Sequence, residues 1–251
     1  YYFKLIQLNK DMNVSRQGIN PSPSQGVIVA ANAAYESFLP WWWKHYQAYA
    51  SLPVTFFDLG MTDQGKAFCQ SKGNWTLFTH SMDFVAPRER VSPKHRAYWE
   101  KHWTQAIWEK RKAWFAKPLI LLQSPYTQTL FLDLDCKIQG DITPLFDFLS
   151  PSVGFTIVKH VFREGFYHNS GVCLASTGSP VVLKWAEECL QNSHRYMGDE
   201  DVIHHLILEN YFEIPFFPLK YNHPHPFGGG DQAVIQHFLG LEGKKKILLD
   251  S

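Results

Sequence analysis

The run Thr129-Leu130-Phe131-Leu132-Asp133-Leu134-Asp135 is apolar and strand-like until it ends in two carboxylates one residue apart. Burying an unpaired anion is costly, so Asp133 and Asp135 require a counter-charge where the strand ends. Side chains at i and i+2 of a strand share a face, which would let both carboxylates converge on one divalent cation. Hard oxygen ligands suit Mn²⁺ or Mg²⁺. An ion held in this way is a natural clamp for a diphosphate, so the pattern reads as an enzyme using a nucleotide diphosphate donor.

Other residue types admit a chemical and a plain reading. His237, in the strand-like run Ala233–Phe238, is as well explained by a hydrogen-bonded core histidine as by a ligand. Asp199 and Glu200 open a helical stretch, where the helix dipole favours acids whether or not they are catalytic. Residues 93–117 carry Lys94, Arg96, Lys101, Lys110, Arg111, Lys112 and Lys117, mostly a solvated helix face. From these, Arg96 or Arg111 is selected for a bidentate phosphate contact. Lys244, Lys245 and Lys246 read either as a lid over the diphosphate or as a frayed basic terminus. Adjacent His204 and His205 diverge on a helix and have no cysteine beside them, which argues against zinc. Gly228-Gly229-Gly230 lacks the context of a phosphate loop and reads as a flexible turn.

Positioning these groups requires a framework of strands and helices. Gly26–Ala31 and Pro53–Asp58 read as strands flanking an aromatic helix through Trp41, Trp42, Trp43 and Tyr46. A β-α-β unit of this kind implies parallel strands with a right-handed crossover. Further helices are expected over 62–70, 93–117, 180–192 and 199–210, and strands over 75–79, 153–158, 171–175 and 233–238. The fold class is α/β: a Rossmann-like, mostly parallel central sheet flanked by helices. Ligands bind such sheets at the carboxyl ends of the strands, where Asp58 and the Asp133/Asp135 pair fall.

At 251 residues and 45% hydrophobic content the chain can bury a full core. The polar residues 1–25 read as an N-terminal arm or leader, and 26–251 as a single domain. A net charge of +1 argues against a nucleic-acid coat or a polybasic membrane anchor. Cys69, Cys136, Cys173 and Cys189 show no zinc spacing and read as free thiols of a reducing compartment. No apolar run reaches transmembrane length, so no integral membrane segment is expected. Cytoplasm is the default location, and a peripheral or lumenal site follows if an anchor preceded Tyr1.

Several separated blocks occur in a known order. They are Val27-Ile28-Val29-Ala30-Ala31-Asn32, then Phe131–Asp135 with Gly140-Asp141-Ile142, then His168-Asn169-Ser170-Gly171-Val172. Gly198-Asp199-Glu200-Asp201-Val202 and Ile235–Gly240 complete the series. In this the chain resembles the GT-A fold nucleotide-diphospho-sugar glycosyltransferases, nearest to glycosyltransferase family 8. The resemblance implies that Asp133 and Asp135 form the family's DxD motif, with His237 as third protein ligand of Mn²⁺ or Mg²⁺. It places Ala31, Asn32 and Tyr35 around the base and ribose, and Asp58 near the uracil end. Gly240 and Lys244 would face the diphosphate, and Asn169 the donor sugar. Asp199 and Glu200 match the position near the reacting centre where the family usually shows Asp-Gln. The implied activity moves a hexose from a UDP-sugar, ahead of a GDP-sugar, to a carbohydrate, lipid-linked or protein acceptor, with retention of configuration. Glu200 in place of glutamine leaves room for an inverting base.

Two other readings compete. Haloacid-dehalogenase-like phosphatases also end a strand in DxD, but near the domain start and with a later acidic pair; here Ile203 stands where the second distal acid would fall. The other is a nucleotide-sugar-binding module that has lost turnover.

Overall fold

A computed structural model of the chain describes residues 24–162, 165–225 and 227–250. The expected arm therefore lies, but for its last two residues, outside the described residues. The strands are β1 (Gln25–Ala31), β2 (Val54–Asp58), β3 (Asn74–Leu77), β4 (Gln128–Leu132), β5 (Cys136–Ile138), β6 (Phe155–Phe162), β7 (Gly165–Ser176), β8 (His223–Pro224) and β9 (Ile235–His237). The helices are α1 (Leu39–Tyr49), α2 (Asp63–Lys72), α3 (Pro93–Trp103), α4 (Ile107–Leu122), α5 (Pro180–Asn192), α6 (Asp199–Leu208) and α7 (Gly240–Asp250).

Six strands form one sheet in the order β3-β2-β1-β4-β7-β6. The first four positions are parallel, with Val29 opposite Phe56 and Val27 opposite Leu130. β7 runs antiparallel to β4, and β6 antiparallel to β7, so the far edge is a long hairpin. A small second sheet, β5-β9-β8, brings His237 level with Cys136.

Strand pleating sorts the core into two layers. Val27, Val29, Leu130 and Leu132 face Trp41, Trp42 and Tyr46 of α1. Ile28 and Phe131, one residue out of phase, face Phe115 of α4, Trp185 of α5 and Leu206 of α6. Burial on both faces explains why these strands are continuously apolar rather than alternating. The helix starts follow local rules: Thr62 Oγ1 accepts from the Gly65 amide at 3.3 Å, and Ser179 Oγ from the Val182 amide at 3.4 Å ahead of Pro180.

The cationic segment 93–117 is not one helix. It breaks at Thr104, whose φ of 61° lies outside the helical region. Folding back there sets Trp99 against Trp108 and Trp103 against Trp114, with ring centroids 5.9 and 5.4 Å apart. That aromatic cluster, centred on buried Trp99 and Ile107, is what a continuous helix would forfeit. Lys244–Lys246 lie inside α7 rather than in a frayed tail. All four cysteines are free and buried. Among the described residues no helix is long and apolar enough to cross a membrane.

Candidate active site

β4 stops at Leu132, and Asp133-Leu134-Asp135 forms the turn into β5. The Asp133 amide donates to the Gly171 carbonyl at 2.8 Å, and the Asp133 carbonyl accepts from the Cys136 amide at 3.1 Å. The two carboxylates therefore meet through a tight turn, and not by the strand alternation expected from the sequence. A turn turns both side chains toward the same end of the sheet while freeing them from the ladder.

His237, at the end of β9, closes the group. Its Nε2 lies 3.1 Å from Asp135 Oδ1 and 4.0 Å from Asp133 Oδ2. On the far side its Nδ1 lies 2.9 Å from Asn222 Oδ1. Asn222 Nδ2 donates to Asn169 Oδ1 at 2.8 Å, so Asn222 Oδ1 is an acceptor and His237 Nδ1 must carry the proton. With Nδ1 engaged by an acceptor, Nε2 faces the two carboxylates, within hydrogen-bond distance of Asp135 Oδ1, and is the nitrogen a cation between them would meet. A ligating histidine needs this tautomer, fixed from behind. Asp133, Asp135 and His237 form a hard donor set that fits a divalent cation. Cys136 also comes within 4.8 Å of the ligand atoms of Asp135 and His237. Burial, reinforced by Asp135 and Asp133, pushes its thiol well above the usual range, so it is a neutral and poor ligand.

Close approach at this point requires glycine. A Cβ on Gly171 would fall 2.1 Å from His237 Cε1 and 2.9 Å from Asp133 Oδ2.

Lys117 supplies the central cation. Its Nζ is buried and reaches Asp133 at 3.3 Å, Asp199 Oδ2 at 3.6 Å and Ser170 Oγ at 2.8 Å. Burial works against its charge, but Asp133, Asp199 and Glu200 outweigh it and raise its pKa. Asp135 is held the other way: burial opposes ionisation, yet Lys244 and His237 keep it below the usual carboxylate range. Lys244 Nζ lies 2.6 Å from Asp135 Oδ2.

At the start of α6, Asp199 accepts from Ser170 Oγ at 2.8 Å. Glu200 Oε1 accepts from Asn169 Nδ2 at 2.7 Å and from the Ser170 amide at 3.1 Å. Burial lifts the pKa of both acids, and for Glu200 nearby Asp199 and Asp133 add to that against the pull of Lys117. Four acids, Asp133, Asp135, Asp199 and Glu200, thus share the site with two lysines, and without a divalent ion Glu200 holds its proton up to about pH 8. A divalent ion would balance that excess of negative charge.

Of the residues selected from sequence, Ala31, Asn32, Tyr35, Asp133, Asp135, Asp199, Glu200, His237, Gly240 and Lys244 line one cleft at the carboxyl ends of β1 and β4. Four do not line it: Arg96, on α3, and three others. Asn169 stands behind Glu200 as its hydrogen-bond donor. Asp58 ends β2, but its Oδ1 is engaged by the amides of Gly60 and Met61 at 2.7 and 2.6 Å. Arg111 is fully buried, donating to the carbonyls of Ala86, Ser193, Tyr196 and Met197. It sits about 100° around α4 from Lys110, off the face that lines the cleft. Its guanidinium is committed to tying loops together, which corrects the choice of Arg111 as a phosphate ligand.

Lys117, Ser170, Gly171 and Asn222 were not singled out from sequence. Lys117 had a signal: it is the lone charge in Trp114-Phe115-Ala116-Lys117-Pro118-Leu119-Ile120. Asn222 had none, because its role exists only through partners 15 and 53 residues away.

No protein-family model and no curated protein matches the sequence. Solved structures do resemble it. Mouse xyloside xylosyltransferase 1 in its apo form aligns with a TM-score of 0.53 and 16% identity, over 85% of this chain and 97% of that one. The galactosyltransferase LgtC, in complex with donor and acceptor sugar analogues, aligns at 0.55 and 16%, over 86% and 87%. The mannosyltransferase Ktr4p from S. cerevisiae aligns at 0.53 and 9%, over 81% and 74%. Likeness at such identity speaks to architecture, and it separates the chain from the haloacid-dehalogenase-like alternative. With its mixed sheet, its flanking helices and its acid cluster at the strand ends, the chain has the GT-A fold of the nucleotide-diphospho-sugar glycosyltransferases.

Proposed function

We propose that residues 26–251 form a metal-dependent glycosyltransferase domain that moves a hexose from a UDP-sugar to an acceptor with retention of configuration. The observation that carries this reading is the meeting of Asp133, Asp135 and His237, with His237 Nε2 directed at both carboxylates, in a cleft shared with Lys117 and Lys244. The fold similarity to xylosyl-, galactosyl- and mannosyltransferases supports it.

Breaking the bond from the anomeric carbon to the diphosphate develops charge on the leaving oxygen. Mn²⁺ or Mg²⁺, held by Asp133, Asp135 and His237, would supply Lewis-acid charge for that oxygen. Lys244, which Asp135 engages here, would move its ammonium to the phosphates once Asp135 serves as a ligand. Ala31, Asn32, Tyr35 and Gly240 line the cleft, the first three placed to take the nucleoside and Gly240 the phosphates in this reading. Lys117 binds Asp133 and Asp199 at once and so holds the two halves of the site in register. Glu200, fixed by Asn169 and Ser170, would stand near the donor sugar and, once ionised, stabilise an oxocarbenium-like centre.

The test is a binding panel of UDP- and GDP-sugars with and without Mn²⁺, followed by assay of UDP release. Stabilisation that requires nucleotide and metal together, and that Asp135→Asn abolishes, is the expected result. Equal stabilisation in the presence of chelator would refute the metal's role. Binding without turnover over a broad acceptor set would point to the non-catalytic module.

A further inference from the structure

One face of α4 lines the cleft through Lys110, Ala113, Trp114, Lys117 and Ile120, at spacings of three and four residues. The two lysines on this face are seven residues apart, roughly 10 Å along the axis at the rise of an α-helix. Their surroundings differ. Lys117 lies at the floor, buried among carboxylates. Lys110 is half-buried, with its Nζ 5.5 Å from the Trp103 ring centroid. Among the described residues no acid pairs with Lys110, whereas Lys112, Lys117 and Lys244 each have one. Lys244 reaches the same cleft from α7, and burial, followed by the Lys244 charge, lowers the Lys110 pKa. Two ammonium groups thus face a shared space, one of them without a counter-ion.

We infer that Lys110 is a second phosphate anchor, binding the donor diphosphate from the α4 wall while Lys244 binds it from α7. This rests on the donor reading given above. Charge supports it: even with Glu200 protonated, a divalent ion, Lys117 and Lys244 do not neutralise Asp133, Asp135 and Asp199 plus a diphosphate, and Lys110 reduces the deficit. Trp103 makes the position specific. Its ring lies under the Lys110 ammonium, and Trp114 braces it edge-on at 5.4 Å, so the stem is directed across an aromatic wall rather than into solvent. Neither Arg96 nor Arg111 lines the cleft and Lys117 is engaged by acids, so among the described residues Lys110 is the α3–α4 cation placed to meet an anion there.

The experiment is calorimetric titration of the full chain with UDP, UMP and uridine in Mn²⁺, at two salt concentrations, for wild type, Lys110→Met and Lys110→Arg. Methionine keeps the stem and removes the charge; arginine keeps the charge. Lys110→Met should weaken UDP binding about tenfold, equivalent to about 1.4 kcal/mol, while uridine binding is unchanged. Lys110→Arg should retain most UDP affinity, and the salt dependence should fall in the methionine variant. Unchanged UDP affinity in Lys110→Met overturns this inference and leaves the donor reading intact. Equal losses for UDP and uridine also overturn it, because they report a distorted wall rather than a lost charge. A wild type that binds no UDP overturns the donor reading together with this one.

Discussion

His237 Nδ1 and Asn222 Oδ1 lie 2.9 Å apart, and the amide direction of Asn222 makes the histidine the donor. One hydrogen bond further, Asn222 reaches Asn169, and Asn169 reaches Glu200 at 2.7 Å. The His237 imidazole and the Glu200 carboxylate are therefore oriented by one buried chain of amides. Truncating Asn222 to alanine should cost roughly 10–100-fold in Mn²⁺ affinity, as for other residues that orient a metal-ligating histidine. Metal titration in the presence of UDP measures this. An unchanged affinity would mean that His237 keeps its orientation without the amide.

Gly171 permits the approach of β7 to both His237 and Asp133. Gly171→Ala should displace them, lowering metal affinity more than tenfold and destabilising the fold by about 1–3 kcal/mol. Gly140→Ala is the matched control, since its Cβ would meet Val234 no closer than 3.5 Å. Urea unfolding and metal titration of the two variants should separate clearly.

Lys117 is the counter-ion of buried Asp199 and of the partly exposed Asp133, so its loss leaves Asp199 in particular uncompensated. Lys117→Met is expected to lower stability by about 3–5 kcal/mol. Chemical denaturation at neutral pH tests this. The double variant Lys117→Met with Asp199→Asn should recover part of the loss, because one orphaned charge is removed.

Glu200 titrates above the usual carboxylate range because it is buried near Asp199 and Asp133. If its ionised form assists the reaction, kcat should rise with pH as the proton leaves, later than an ordinary glutamate would allow. Glu200→Gln keeps the acceptor for Asn169 but has no proton to lose, so its rate should be lower and that limb of the profile flat. A profile unaltered by the substitution would remove Glu200 from the chemistry.

His160 and His168 are buried and their pKa values are lowered to about 4, chiefly by burial. From the ordinary histidine value near 6.5 down to about 4, the unfolded chain binds more protons than the folded one. Stability is therefore full above the unfolded value and falls as pH drops through that window, by roughly 3 kcal/mol for a shift of this size. Melting temperature measured from pH 7 to pH 4 should fall, and less steeply in His160→Gln.

The element pattern was legible in the residues themselves. Continuously apolar runs such as Val27–Val29 and Leu130–Leu132 can only be strands buried on both faces, and Pro180 after Ser179 marks a helix start. Asp133 and Asp135 were conspicuous because charge at the end of such a run needs a partner. What the sequence could not show was how that partner is arranged. The carboxylates converge through a turn, the pairing of β9 with β5 delivers His237, and β7 delivers Gly171 and Asn169. Arg111 and Lys117 are both cations of one helical segment, and only the isolation of Lys117 among apolar residues sets it apart in sequence. Only the rotation of α4 decides that one ties loops together while the other anchors the acids. Local propensity and patterning reach across a few residues and so determine strands, helices and the sheet. The chemistry depends on contacts between residues as far apart as 135 and 237, and those exist only once the sheet has closed.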